Sequence, residues 1–434
     1  MRILLLLSES WNDKAAPNNN MTNWFAGFSD VEVWTISGSS LLPENDCCDN
    51  YFLIGENEML KSLFSGKKVG KRYRIEREDA VPSVQSTQGS EISGNRRLKK
   101  IFAGECARLA RDMVWRFGRY DLDALRQFVE ECHPDVIFSQ RKGSVKMCRL
   151  ETVVKSMTNA PMVAYTGDDE YSLQQVSFSP VFWIRRFWTR AWLRRTIPDY
   201  KLFYSQSERQ MREFERVFHA KTKFLVKCGT FSEESVHRQV NQPIQMVYAG
   251  KLYCNRWKTL ALIAQEIRQV NQQNDAPKIQ LNIYTGDSVC AKQNALLNDG
   301  MHSIIHGKIP ASQLPVVYAH SDVALHVESF DIKNRLVTKD SFSTKVMDCM
   351  SSGCAVMAVC WKDHAAYQYL KKQDAAITAS DRSEIRQQIQ KLATAPDTVR
   401  EYAEKAYRCG AEHHQRNRIQ KMMKEDLSRV ISRC

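Results

Sequence analysis

The 434-residue sequence has no C-x-x-C pair, no repeat of fixed period and no low-complexity tract. It also has no uninterrupted apolar run of about 18 residues, the length a membrane-spanning helix needs. Lack of paired cysteine motifs removes the usual zinc-ribbon and dithiol signatures. The 13 cysteines, an odd number scattered along the chain, fit a reducing cytosol better than a disulfide framework. The opening run Ile3–Leu7 ends at Ser8 and Glu9, too soon for a signal-peptide core, so it reads as a first buried strand. Asp121 and Asp123 superficially suggest a metal motif, but they open a helix, where acidic side chains favour the dipole. No metal is expected.

What is present is an ordinary globular composition, 43% hydrophobic, in a chain long enough for two domains. The net charge of +13, from 62 basic and 49 acidic residues, favours anionic partners: nucleotide phosphates, anionic lipid or nucleic acid. No RRM, KH, zinc-finger or helix-turn-helix signature occurs, so nucleic acid is not expected. Short β-branched and apolar runs alternate with helical patterns in both halves, as in parallel sheets covered by helices. The expected strands are Ile3–Leu7, Val31–Ile36, Asp135–Ser139, Met162–Tyr165, Leu202–Ser205 and Phe224–Val226, then Gln245–Ala249, Ile279–Tyr284, Ser303–His306, Val323–Val327, Ala355–Val359 and Ala375–Thr378. A polar stretch from Thr230 to Pro243 reads as the hinge, and Gly66 to Asn95, basic and without apolar periodicity, as a mobile loop of the first domain. The expected division is 1–235, 236–405 and a C-terminal helix, 406–434, packing back toward the first domain.

Ligands of parallel sheets sit at the carboxyl ends of the strands, so the loops after strands carry the chemistry. The most informative is DSFSTKVMDCMSSGCAVMAV, from Asp340 to Val359. Ser343 can cap a helix opened by Thr344 and Lys345, and Gly353 can end it in the left-handed conformation. The free amides and partial positive charge of such a start stabilise a diphosphate without a metal, and Lys345 adds a point charge. Asp340 and Asp348 are the nearby carboxylates able to accept from sugar or ribose hydroxyls. In VYAGKLYCNRWKTLALI a strand ends in Gly250, followed by Lys251, with Arg256 and Lys258 opening a helix; the planar fork of Arg256 suits phosphate oxygens.

With these segments the chain resembles the family 4 glycosyltransferases of bacterial polysaccharide and lipopolysaccharide assembly. The family pattern of two Glu separated by seven residues, then a helix, Gly and a buried strand, is matched by Asp340, Asp348, Gly353 and Ala355–Val359, with Asp in both acidic positions. The resemblance implies a GT-B α/β fold, two doubly wound Rossmann-like domains facing across a cleft, with the nucleotide sugar on the second. It implies that Asp340 faces the donor sugar and Asp348 the ribose, and that basic residues near Gly250 hold the diphosphate. By the same likeness His306, in SIIHGK, lies beside the nucleotide base. APMVAYTGDDEYS matches a Thr-x-His-Asp turn in which Asp168 takes the His position, and a carboxylate there can accept a proton or bind an acceptor hydroxyl. The implied activity is retaining transfer of a sugar from a nucleotide-sugar donor to a glycan or lipid-linked acceptor in cell-surface polysaccharide biosynthesis, with no cofactor. A UDP-sugar epimerase of the same fold and an inactive partner subunit are the alternatives.

One segment stands apart. VFWIRRFWTRAWLRR, Val181 to Arg195, places Ile184, Phe187, Trp188, Ala191 and Trp192 on one helical face and most arginines elsewhere. Trp with Arg favours the headgroup layer of an anionic membrane, so Arg185, Trp188, Arg190 and Trp192 are the expected acceptor-side or membrane contacts, at the cytoplasmic face of the plasma membrane.

Overall fold

The computed structural model describes residues 1–14, 19–28, 30–76, 104–141, 143–232 and 239–433. Two sheets organise the chain. The first contains β1 (Arg2–Leu7), β2 (Glu32–Ser37), β3 (Asn50–Leu53), β4 (Lys71–Arg74), β5 (Val136–Gln140), β6 (Met162–Thr166), β7 (Tyr200–Ser205) and β8 (Thr222–Phe224), in the order β4-β3-β2-β1-β5-β6-β7-β8. The second contains β9 (Ile244–Ala249), β10 (Ile279–Tyr284), β11 (Ser303–Gly307), β12 (Val323–Val327), β13 (Ala355–Val359) and β14 (Ile377–Ala379), in the order β11-β10-β9-β12-β13-β14. Every pairing is parallel except β3 with the edge strand β4. Each order reverses once, at β1/β5 and at β9/β12, the arrangement of a doubly wound sheet.

Burial on both faces explains why the strands read as near-continuous apolar runs. In β1, Leu4 and Leu6 enter one core and Ile3, Leu5 and Leu7 another. In β9, Met246 and Tyr248 point to one side and Val247 to the other. β12 and β13 are buried at every position.

The expected strands recur with small shifts: β8 ends at Phe224 where Phe224–Val226 was expected, and β14 begins at Ile377, two residues late. β3 and β4 were not anticipated. β4 lies within the stretch read as a mobile loop, and residues 77–95 of that stretch fall outside the described residues. Residues 233–238 of the expected hinge do so as well. Position 406 lies inside the helix Asp397–His413, which packs on the second sheet. The segment that crosses to the first domain is the following helix, Arg416–Ser432, whose Ile419, Met423, Leu427 and Val430 join the core behind β1 and β5.

Candidate functional site

A pocket of about 580 Å³ opens at the carboxyl ends of β9, β10 and β11 in the second domain, within the size range of small-molecule sites. Its walls include Gly250 and Lys251 after β9, Tyr284 and Asp287 at and beyond the end of β10, Lys308 after β11, and the helix start Ser343–Lys345.

The helix Thr344–Ser351 begins here because the Ser343 side chain accepts from the Lys345 amide, and it ends before Gly353 at φ +73°. The Val346 amide donates to the Ser343 carbonyl at 3.0 Å, and the helix start presents the positive end of its dipole to the pocket. Lys345 lies under Gly250: a Cβ built on that glycine would fall 1.5 Å from the ammonium. The glycine after β9 is therefore what lets the lysine reach the pocket. The ammonium also sits 5.0 Å from the centre of the Tyr248 ring. Among the described residues no carboxylate lies within ion-pair distance of it. Burial, reinforced by the nearby Arg256 charge, lowers its pKa to about 8. Lys251 and Lys308 are the other lysines of the lining.

Arg256 opens the helix Arg256–Gln272 after Asn255, which takes the left-handed conformation at φ 59°. Its guanidinium lines the pocket but is held by Glu328, just beyond β12, through Nε at 3.0 Å and Nη2 at 2.6 Å. It also lies 4.6 Å from the Tyr253 ring centre. The expected free phosphate fork is thus a buried ion pair already committed to a carboxylate, and its charge is largely balanced at the pocket wall. Lys258 is likewise paired, with Asp331 at 3.1 Å. His306 stands outside the lining: it stacks on Tyr284 at 4.7 Å and shares a 2.8 Å hydrogen bond with Asn282. Tyr284 is the ring that reaches the pocket.

The carboxylates expected to hold the sugar lie elsewhere. Asp340 is buried at the junction of the domains, accepting from Ser207 Oγ at 2.8 Å and Arg209 Nε at 3.0 Å. It does not line the pocket, because the first domain occupies the direction in which its oxygens point. Asp168, exposed after β6, accepts from Ser341 Oγ at 3.0 Å across the same junction. Asp348 pairs with Lys227 of the first domain at 2.6 Å. Ser343, Thr344, Lys345, Lys251 and Arg256 are therefore brought together in the pocket, while Asp168, Asp340 and Asp348 are engaged at domain contacts. Glu328, Tyr284, Asp287 and Lys308 were missed, although all lie at or just beyond strand ends, where parallel sheets place their ligands.

The aromatic helix runs Pro180–Thr196, one residue longer at each end than expected. Its arginines are mostly spoken for. Arg185 binds Glu105 and Asp112, Arg186 binds Asp169 at 2.9 Å, and Arg190 donates to the Tyr171 carbonyl. Arg185 and Arg190 are thus tied within the first domain. Trp192 packs on the first-domain core, with Arg116 5.7 Å from its ring centre, and Trp188 is partly buried. Ile184 and Phe187 are exposed. No helix among the described residues is long and apolar enough to cross a membrane.

Residues 237–424 match a family profile described as glycosyl transferase-like. A search of curated proteins finds no match. Among solved structures, the chain is similar to a sucrose-phosphate synthase from Thermosynechococcus elongatus, at 12% identity and a TM-score of 0.63, covering 100% of both chains. It is similar to an E. coli trehalose-6-phosphate structure bound with UDP-2-fluoro glucose, at 11% identity and a TM-score of 0.60, covering 98% of each. It is also similar to Anabaena Alr3699/HepE in complex with UDP and glucose, at 12% identity and a TM-score of 0.59, covering 98% of this chain and 99% of that one.

Proposed function

We propose, for a GT-B chain whose second half is glycosyl transferase-like, that the pocket holds the diphosphate of a UDP-sugar and that the chain transfers the sugar with retention. The observation that carries this reading is Lys345, an ammonium with no carboxylate partner among the described residues, set under Gly250 at a helix start that lines the pocket. Balanced charge at Arg256–Glu328 shapes the wall, while Lys345, Lys251, Lys308 and the positive end of the helix dipole supply attraction for phosphate.

In the transfer, the bond from the anomeric carbon to the diphosphate oxygen breaks, the acceptor oxygen bonds to that carbon on the same face, and the acceptor proton passes to the departing phosphate. The chain's contribution is positioning and stabilisation of the developing phosphate charge. The acceptor is a glycan or lipid-linked glycan of the cell surface, reached from the first-domain side. Ile184 and Phe187 would supply apolar contact with a membrane there, since Arg185 and Arg190 are engaged within the fold.

Thermal stability measured against UDP-, GDP-, ADP- and CMP-sugars tests the donor reading, because a ligand of the native state raises the midpoint. A rise with UDP-sugars that is lost in Lys345→Gln supports it, and no rise with any donor refutes it. Analysis of products with and without added acceptor separates transfer from isomerisation of the donor.

A further inference from the structure

His326 on β12, Cys360 immediately after β13 and His364 at the start of the helix Ala365–Lys372 form a closed cluster outside the pocket lining. Each offers one ligand atom, and these atoms lie within 4.8 Å of one another. All three residues are at most 2% exposed. His326 Nε2 and both ring nitrogens of His364 are buried with no hydrogen-bond partner. Orphaned imidazole nitrogens are costly in a folded interior, where nearly all polar atoms are paired. His364 makes no side-chain capping bond either, although it occupies the capping position of its helix.

We propose that His326, Cys360 and His364 bind a divalent transition metal of the zinc class in a structural role. A thiolate with two imidazoles is a donor set that suits zinc and cobalt and is poor for magnesium or calcium. The size fits: for three atoms at most 4.8 Å apart, some point lies within 4.8 Å divided by √3, about 2.8 Å, of all of them, and small side-chain rotations reach the ~2.0–2.3 Å of zinc ligation. Binding replaces the Cys360 thiol proton by the metal and releases that proton to solvent. The metal would fasten β12 to the loop after β13, whose Asp363 carbonyl accepts from Arg209 of the other domain at 3.2 Å.

The test uses the full chain, stripped of metal under reducing conditions and titrated with cobalt(II). The expected result is a stoichiometric sulfur-to-cobalt charge-transfer band that persists in Cys106→Ser, an exposed thiol elsewhere, and is lost in Cys360→Ser and weakened in His364→Ala. Absence of the band, or its survival in Cys360→Ser, overturns the proposal. Should Cys360→Ser fail to fold, zinc-edge absorption on the unaltered, zinc-loaded chain decides: one sulfur and two imidazole nitrogens, with one further light atom completing four-coordination, support the site, and a shell without that sulfur and those imidazoles, or no retained zinc, refutes it. Donor binding is a separate measurement, so the failure of either reading leaves the other standing.

Discussion

Between pH 7 and pH 9 the affinity of the pocket for UDP is expected to fall about tenfold, because Lys345 loses its proton across that interval. Burial and the Arg256 charge place its pKa near 8 in the free protein. If only the ammonium binds the diphosphate well, the charged fraction drops from about ten-elevenths to about one-eleventh, which is about 1.4 kcal/mol of binding free energy. The nucleotide contributes little to this slope, since its last phosphate ionisation, near pH ~6, is complete by then. Unfolding does not mimic it. The unfolded lysine stays protonated up to about 10.5, so this group makes the native state more stable as the pH rises from 8 to 10.5.

Isothermal titration of UDP at half-unit pH steps gives the profile directly, and Lys345→Gln supplies the control. The variant is expected to bind more weakly at pH 7 and to show no slope above it. A slope that survives in Lys345→Gln, or a flat profile in the unaltered chain, refutes the assignment of Lys345 to the phosphate.

Three further outcomes follow from the same geometry. Gly250→Ala places a methyl where the Lys345 ammonium lies, so UDP affinity should fall to near that of Lys345→Gln while the melting temperature changes little, as titration and calorimetry can check. Asp340→Asn removes the charge that holds Arg209 and should cost about 1–3 kcal/mol of stability in urea unfolding. The ratio of UDP to UDP-sugar affinity should stay unchanged, whereas a carboxylate holding the sugar would shift that ratio. Glu170, buried beside Arg141, has its pKa raised by burial to about 8, so the native state keeps a proton that the unfolded chain gives up, and stability should decline from pH 5 to pH 8 by up to about 1.4 kcal/mol per unit. Glu170→Gln should flatten that decline in pH-dependent denaturation.

The fold was legible because burial on both faces of a parallel strand leaves an unmistakable apolar run, as in Ala355–Val359 and Val323–Val327. Asn50–Leu53 and Lys71–Arg74 were not, since the first is only four residues long and the second is an edge strand with mostly exposed, basic side chains. Of the site, the helix start at Ser343 and the glycine after β9 were readable, because capping and close approach restrict residue type. Partnership was not. Arg256 and Glu328 lie 72 positions apart and meet only when β12 is set beside β9. Asp340 stands at a spacing that suggests a sugar ligand, yet spacing along a loop says nothing of which domain its oxygens face.

That loop links the acidic residues to the pocket despite their different partners. From Lys339 to Lys345 the chain passes from the domain junction to the pocket without interruption. Lys339 reaches Ser172 and Gln174, Asp340 receives Ser207 and Arg209, Ser341 donates to Asp168, and the Phe342 amide donates to Gln206. Three residues later Lys345 stands under Gly250. Four successive residues are thus tied to the first domain, Lys339, Asp340 and Ser341 through their side chains and Phe342 through its amide, directly before Ser343, the cap of the helix whose start lines the pocket. On the proposed reading, a shift of the first domain would be felt at the diphosphate through this loop, and a bound diphosphate would in turn bias that domain's position, by the reciprocity that links two sites coupled to one conformational equilibrium.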